Sequence, residues 1–327
     1  MTQVFISILN WNAAAATLEC LRTVFSSAAA MVNTTVVVLD NGSRNEDWSE
    51  LHAGCSGSSV RIVRREKNTG FAGGHNTVIR MALEQKADFI WLLNNDALVE
   101  PDTLYRLLSH MQDNPRLGAV SPVIYARHDP SVVDFCGAIH NWQALDSICA
   151  RSLEAGQRMQ QNHPREFFLF GTAPLLRIAA IRQTGVLEDR LFAYYEDDDL
   201  CIRLSNLGWE SRVAFDVSIL HVRHRSYADD RPAYYFYLMA RNSIIFYAKH
   251  TPYSQRRLLR LRLFARAMIK AALMEERGYK EKANAILTGT LYGLKNIGGP
   301  PQPNVPAPAW LKLVAKIFPY RLQQWLG

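Results

Sequence analysis

Three stretches of this 327-residue chain hold polar residues of types and spacings that can do chemistry. Asn94-Asn95-Asp96 follows the apolar run FIWLL with no spacer. Side chains of this kind either satisfy their own backbone in a turn or meet a ligand. Glu196-Asp197-Asp198-Asp199 precedes Leu200, Leu204 and Leu207, a near-helical spacing that sets the acids at a helix N-terminus. Acids complement the macrodipole there. The aromatic approach LFAYY would also bring a carboxylate into a partly desolvated place suited to abstracting a proton. The glycines of KNTGFAGGHN, residues 67–76, permit positive φ and close approach of backbone to a ligand before a helix begins.

The elements that must position these groups alternate. VFISIL (4–9), VVVLD (36–40), SVRIV (59–63) and FIWLL (89–93) read as strands, with helices over 13–30 and 74–85. Nearly all-apolar strands separated by helices imply crossovers and a mainly parallel sheet covered on both faces. In such sheets ligands bind outside the carboxyl ends of the strands. Three of those ends are polar: Asn10-Trp11-Asn12, Asp40-Asn41-Gly42-Ser43 and Asn94-Asn95-Asp96. At a strand end, the Asp40 carboxylate could accept from a base N–H, as in uracil or thymine. No G-x-x-x-x-G-K-[ST] is present, which disfavours a P-loop NTPase, and no G-x-G-x-x-G follows the first strand, which disfavours a dinucleotide-dependent oxidoreductase.

The net charge of +7, from 37 basic and 30 acidic residues, is unevenly placed. Arg256, Arg257, Arg260, Arg262, Arg266 and Lys270 occur with no acid between Ser254 and Met274. That segment reads as a helix with an uncharged stripe through Leu258, Leu261, Ala265, Met268, Ile269 and Ala272. It is either core-packed with a solvated basic side or interfacial on anionic lipid. GGPPQPNVPAP (298–308) reads as a stiff linker, and the end beyond it combines Trp310, Phe318, Tyr320 and Trp325 with Lys312, Lys316 and Arg321. No recognised nucleic-acid motif accompanies the basic patch, so nucleic acid is not the expected partner. Five scattered cysteines without C-x-x-C, no signal-peptide pattern and no spanning apolar stretch lead to the expectation of a cytoplasmic chain, peripheral on the membrane's inner face if it touches one.

The ordered set ILNWN (8–12), VVLDNGS (37–43), NTGFAGGHN (68–76), WLLNNDALVEPD (91–102), Gly171 in LFGTAPLLR, YEDDDLCIRLSNLGW (195–209) and His221 resembles the inverting nucleotide-sugar glycosyltransferases of family 2, especially their bacterial rhamnosyltransferase-like branch. The resemblance implies an α/β GT-A fold over residues 1–228, with a nucleotide-sugar half to about 120 and an acceptor half from about 121. A helical extension (229–297), the Pro-rich linker (298–308) and an amphipathic segment (309–327) would follow.

By the same resemblance, Asp40 contacts the nucleobase, and Asn10, Asn12, Asn68, Gly70, Phe71, Gly74, Asn76, Asn94 and Asn95 line the donor pocket. Asp96 would bind Mg²⁺ or Mn²⁺ bridging the donor diphosphate, with Asn94 standing where the fuller acidic pattern has its first carboxylate. His221 would be a further ligand, the alternatives being a polar strand cap or His224 in its place. Asp197 is the implied base, with Asp199 second and Glu196 beside them. The implied donor is dTDP- or UDP-linked, rhamnose or another hexose, and the acceptor a cell-surface or lipid-linked glycan. A non-catalytic nucleotide-sugar-binding protein and a nucleotidyltransferase are the competing readings.

Overall fold

The computed structural model describes residues 1–26, 32–222 and 230–317; His224, Phe318, Tyr320, Arg321 and Trp325 lie outside the described residues. The chain divides into two compact units, Met1–Glu188 with Glu196–His224, and Asp189–Tyr195 with Arg225–Gly327.

In the first unit, β1 (Thr2–Asn10), β2 (Val32–Asn41), β3 (Arg61–Arg65) and β4 (Phe89–Asn94) are parallel neighbours in the order β3-β2-β1-β4. The sheet continues through β11 (Leu175–Arg177), β6 (Leu117–Ala126) and β12 (Glu210–His221) to β5 (Ala97–Val99), with β7 (Asp129–Phe135) also paired to β6. β4 and β5 are two residues apart in the chain yet pair with different strands, so the sheet curls and brings the carboxyl ends of β4 and β12 together. Val4, Phe5, Ile6, Ile8 and residues 89–93 are buried, as strands covered on both faces must be. Helices α1 (Ala14–Ser26), α2 (Asn45–Cys55), α3 (Gly70–Glu84) and α4 (Thr103–Asp113) connect the strands. A small sheet, β10 (Phe167–Phe168), β8 (Ala138–Asn141) and β9 (Asp146–Cys149), lies off the main one, and α5 (Leu153–Asn162), α6 (Ile178–Thr184) and α7 (Glu196–Asn206) complete the unit.

Two boundaries differ from the sequence reading. β3 begins two residues later than the run 59–63 suggests. More consequentially, α3 begins at Gly70, so the four residues 70–73 ahead of the expected helix start at Gly74 are already inside it. Only Gly70 among the glycines of that stretch has positive φ, at 77°.

The second unit packs α8 (Ala233–His250), α9 (Arg256–Glu276), α10 (Lys280–Leu294) and α11 (Ala309–Ile317) around Phe236, Tyr237, Met268, Ile286 and Leu311. The buried stripe of α9 runs through Leu259, Leu263, Ala267, Ala271 and Met274, with Ala265 and Met268; Leu258 and Leu261, expected in the stripe, are exposed. The 298–308 segment is no free linker. The Asn284 amide donates to the Pro303 and Val305 carbonyls, Thr288 Oγ1 donates to Val305, and the Ala307 N–H donates to Asn284 Oδ1, which strap it along α10. No helix among the described residues is long and apolar enough to cross a membrane.

Candidate active site

The parallel register sets Asn10 beside Asp40 and Leu9 beside Asn94, so three polar strand ends share one edge of the sheet. Their side chains first serve one another. Asn10 Nδ2 donates to Asp40 Oδ1 (3.0 Å), Ser43 Oγ (3.1 Å) and Asp47 Oδ2 (2.7 Å), while Thr17 Oγ1 donates to Asn10 Oδ1 and accepts from Asn95 Nδ2. Asn10 and Asp40 are fully enclosed, and Arg64 Nε stands 3.6 Å from Asp40. Asp40, expected at the nucleobase, accepts here from Asn10 Nδ2 and from the Ser43 N–H, so its carboxylate also ties the turn 40–43 to the end of β1. The open groups there are Trp11, 49 % exposed, and Asn12, which sits at φ 53° and is pinned between Ser43 Oγ and the Arg44 N–H.

Asn41, which sequence reasoning left unassigned, ties β2 to the glycine loop. Its Nδ2 donates to Asn68 Oδ1 and the Gly70 carbonyl, and its Oδ1 accepts from Thr69 N–H and Oγ1. Further along, two residues expected in the donor pocket are engaged by the fold. Both ends of the Asn76 amide are taken by the Leu187 backbone, at 2.8 and 2.9 Å. At Gly74 a Cβ would come within 2.8 Å of Leu9 Cδ1, so this glycine lets α3 approach β1. Asn68, Gly70 and Phe71 remain at the loop's start.

Asp96 and His221 are 125 positions apart, but the pairing of β5 with β12 sets Ala97 opposite His221 and brings His221 Nε2 to 3.2 Å from Asp96 Oδ1. Asn94 Nδ2 lies 3.4 Å from the same nitrogen. On the other side of the ring, Nδ1 is 3.4 Å from Asp134 Oδ2. Burial disfavours the charged imidazole, but hydrogen bonds to Asp134 and Asp96 outweigh it and raise His221 to about 9. One carboxylate and one imidazole nitrogen at this spacing fit an ion that completes its shell with phosphate and water oxygens. They do not make a protein cage, and among the described residues no group of three or more His, Cys, Asp and Glu could hold an ion.

The acids at the start of α7 part company. Asp197 Oδ2 accepts from the Gly171 N–H at 2.8 Å and Oδ1 from the Asp198 N–H at 3.0 Å. Burial raises its pKa, while these backbone donors pull the other way. Glu196 and Asp198 are raised well above the carboxylate range by burial and the nearby Asp197 charge. Asp198 Oδ1 lies 3.5 Å from His140 Nε2, whose ring stacks on Phe168. Asp199 is fully buried and held by Arg203 Nε at 2.8 Å; Arg203 in turn donates to the carbonyls of residues 184–186. Asp199 thus has a structural partner, not the open face that a second base needs.

In the second unit the Tyr194 ring packs edge-on against Tyr235 and the Tyr195 ring against Phe246. Tyr194 and Tyr195 have φ 71° and 72°, and the Asn242 side chain donates to the carbonyls of Leu191, Ala193 and Tyr194. Left-handed non-glycine residues of this kind persist only where surrounding contacts over-determine them. In the first unit, Phe71 closes on Gly171: a Cβ there would lie 2.9 Å from Phe71 Cζ and 3.5 Å from Asp197 Oδ2.

One backbone bond joins the two chemical groups. The Asn94 N–H donates to the Thr172 carbonyl at 2.8 Å, next to the Gly171 that holds Asp197. Asp134 and His140, which sequence reasoning missed, come from the irregular stretch 125–165, where no periodicity marks them. Asn41 had a local signal in D-N-G-S.

The sequence matches the description "Glycosyl transferase family 2" over residues 5–160 and "Glycosyl transferase family group 2" over residues 89–270. It is similar to the N-acetylglucosaminyl-diphospho-decaprenol L-rhamnosyltransferase of Mycobacterium tuberculosis, 27 % identical over 76 % of this chain and 87 % of the relative. It is also similar to galactofuranosyltransferase GlfT1 of the same organism, 26 % identical over 61 % of this chain and 63 % of the relative. Among solved structures, the mannosyltransferase PcManGT from Pyrobaculum calidifontis, in complex with GDP-Man and Mn²⁺, shares the fold at a TM-score of 0.57, with 16 % identity over 90 % of this chain and 87 % of the other. With a family match over more than half of its length and a sheet like that of the GT-A enzymes, this chain belongs to glycosyltransferase family 2.

Proposed function

We propose that this glycosyltransferase is metal-dependent and inverting, and that it moves a hexosyl unit from a nucleoside-diphosphate donor to a hydroxyl of a cell-surface or lipid-linked glycan. Thymidine-diphosphate rhamnose is the first donor to test, given the rhamnosyltransferase relative. The observation that carries the reading is the juxtaposition, through the Asn94–Thr172 bond, of an Asp96–His221 pair suited to a diphosphate-bound cation and of Asp197 held by Gly171.

The chain's residues divide the reaction between them. Trp11, Asn12 and Asn68 at the strand ends receive the nucleoside, and Asp96 with His221 would hold Mg²⁺ or Mn²⁺, the nitrogen ligand favouring Mn²⁺. When bound, that ion supplies Lewis-acid stabilisation of the charge developing on the leaving diphosphate. Asp197 accepts the proton of the acceptor hydroxyl as its oxygen attacks the anomeric carbon from the face opposite the phosphate. The carbon–oxygen bond to the distal phosphate breaks, and the nucleoside diphosphate leaves with the electron pair.

In the second unit, α9 exposes Leu258 and Leu261 beside Arg257, a surface that suits the anionic cytoplasmic leaflet, where a lipid-linked acceptor would be met. The test begins with calorimetric titration of thymidine and uridine diphosphates, each with Mn²⁺ and with EDTA. Transfer from the corresponding donor then follows for the wild type and Asp197→Asn. The variant is expected to lose about 10²- to 10⁴-fold in turnover while keeping nucleotide affinity. A wild-type rate in the variant sinks the base assignment, and transfer undiminished by EDTA sinks the cation.

A further inference from the structure

On the reading of Asp96 and His221 as cation ligands, we propose that Asp134 is the positioning residue of that site: its carboxylate accepts from His221 Nδ1 and thereby leaves the Nε2 lone pair, on the side that faces Asp96, for the cation these two residues would hold. The ring stands between two carboxylates, with Nε2 3.2 Å from Asp96 Oδ1 and Nδ1 3.4 Å from Asp134 Oδ2. The two ring nitrogens of a neutral histidine cannot both donate, so the partner on one nitrogen decides which of them has a lone pair to offer. A carboxylate can only accept. With Asp134 on Nδ1, the lone pair falls on Nε2, the nitrogen that faces Asp96.

The local backbone is built for this contact. β7 returns antiparallel on β6, pairing Phe135 with Ile124 and Val133 with Tyr125, so Asp134 is the extra residue of a bulge. Bulges re-aim a side chain at the cost of a ladder pair and gather beside active sites. In a regular ladder Asp134 would sit opposite Tyr125; the extra residue aims it instead at His221, which ends β12 on the other side of β6. The Asp134 side chain is 14 % exposed and that of His221 17 %, so water competes little for the contact. Removing a carboxylate that orients a metal-bound histidine lowers ion affinity about 10- to 100-fold.

The test titrates Mn²⁺ into the full chain saturated with thymidine or uridine diphosphate, whichever the wild type binds more tightly. The same complexes are frozen for pulsed EPR, where a coordinated imidazole nitrogen modulates the Mn²⁺ echo. Asp134→Ala, and Asp134→Asn as the variant that keeps the volume, are expected to bind Mn²⁺ about 10- to 100-fold more weakly. Their nitrogen modulation should be reduced or lost, while nucleotide binding in EDTA matches the wild type. Wild-type Mn²⁺ affinity and nitrogen signal in both variants would overturn the positioning role alone. So would an equal loss of nucleotide binding in EDTA, which marks a merely structural residue. If the wild type itself binds nucleotide identically with Mn²⁺ and EDTA, the cation reading fails, and the role of Asp134 with it.

Discussion

Gly171→Ala isolates the contact that holds the proposed base. Gly171 is not in the left-handed region, so the added methyl costs space and not backbone strain. That space is occupied: the Cβ would stand 2.9 Å from Phe71 Cζ, 3.0 Å from Phe71 Cε1 and 3.5 Å from Asp197 Oδ2. Either the Phe71 ring moves or the 170–172 backbone does, and the second course lengthens the 2.8 Å bond from Gly171 N–H to Asp197. A hydrogen bond to a charged group is worth about 1.5–3 kcal/mol. Losing its alignment therefore lowers turnover about 10- to 100-fold, at about 1.4 kcal/mol per factor of ten. The assay is the rate of sugar transfer at saturating donor, beside calorimetric binding of the nucleoside diphosphate, which should change much less. Leu has no atoms where Cε1 and Cζ of Phe71 lie. Gly171→Ala with Phe71→Leu should then recover part of the loss relative to Phe71→Leu alone, a coupling that a double-mutant cycle reads directly. A single variant with wild-type turnover, or a cycle with no coupling, refutes the reasoning.

Asp199→Asn should behave as a stability variant: breaking a buried pair costs about 3–5 kcal/mol, read as a lower urea midpoint, with turnover per folded molecule retained. A large loss of turnover at unchanged stability would return Asp199 to the catalytic group. His75 is fully buried in α3, its Nδ1 2.8 Å from Ser7 Oγ, and burial holds its pKa down to about 3 from the usual 6.5. The unfolded chain then takes up a proton that the folded chain refuses, so stability falls as the pH drops from 6.5 toward 3. By pH 5 this amounts to about 2 kcal/mol. His75→Gln should remove that component, and equal pH slopes in urea melts of the two proteins would exclude it.

Much of the fold was legible because burial on both faces leaves a strong mark: β1 and β4 are nearly continuous apolar runs, and their polar ends stand out. What could not be read was the destination of each polar side chain. D-N-G-S announces a strand end and a turn, but nothing in the letters says that Asp40 turns inward to Asn10 and Ser43 while Asn41 turns to the glycine loop. Gly70 and Gly73 read as ahead of a helix beginning at Gly74, because glycines permit positive φ and close approach of backbone to a ligand. Helix α3 contains Gly73 and Gly74 because Gly74 lies against Leu9, a tertiary demand that overrides propensity. Asp134 was invisible for a related reason: its position depends on a bulge in a two-strand register, which leaves no periodic trace. On α9, choosing the stripe by absence of charge selected Leu258 and Leu261, which are exposed, along with Ala265 and Met268, which are buried, and passed over Leu259 and Leu263.

The run of acids at 196–199 shows why composition alone could not name a base. Successive residues of a helix point about 100° apart, so four adjacent carboxyls enter four environments. Asp199 points to Arg203 one turn on, Asp198 to His140, Asp197 to the Gly171 N–H, and Glu196 into the interior, where its Oε2 has no hydrogen-bond partner among the described residues. Four negative charges at one helix end would repel strongly, and the environments resolve the conflict by differentiating the groups. Burial and the Asp197 charge raise Glu196 and Asp198 well above the usual carboxylate range; Asp199 is paired with a guanidinium; Asp197 is also raised by burial, against which its two backbone donors pull. A carboxylate raised by burial is a stronger base than one in water. Next to Gly171 and one backbone bond from the β4 end that leads to Asp96, Asp197 is the acid that the proposed function takes as its base.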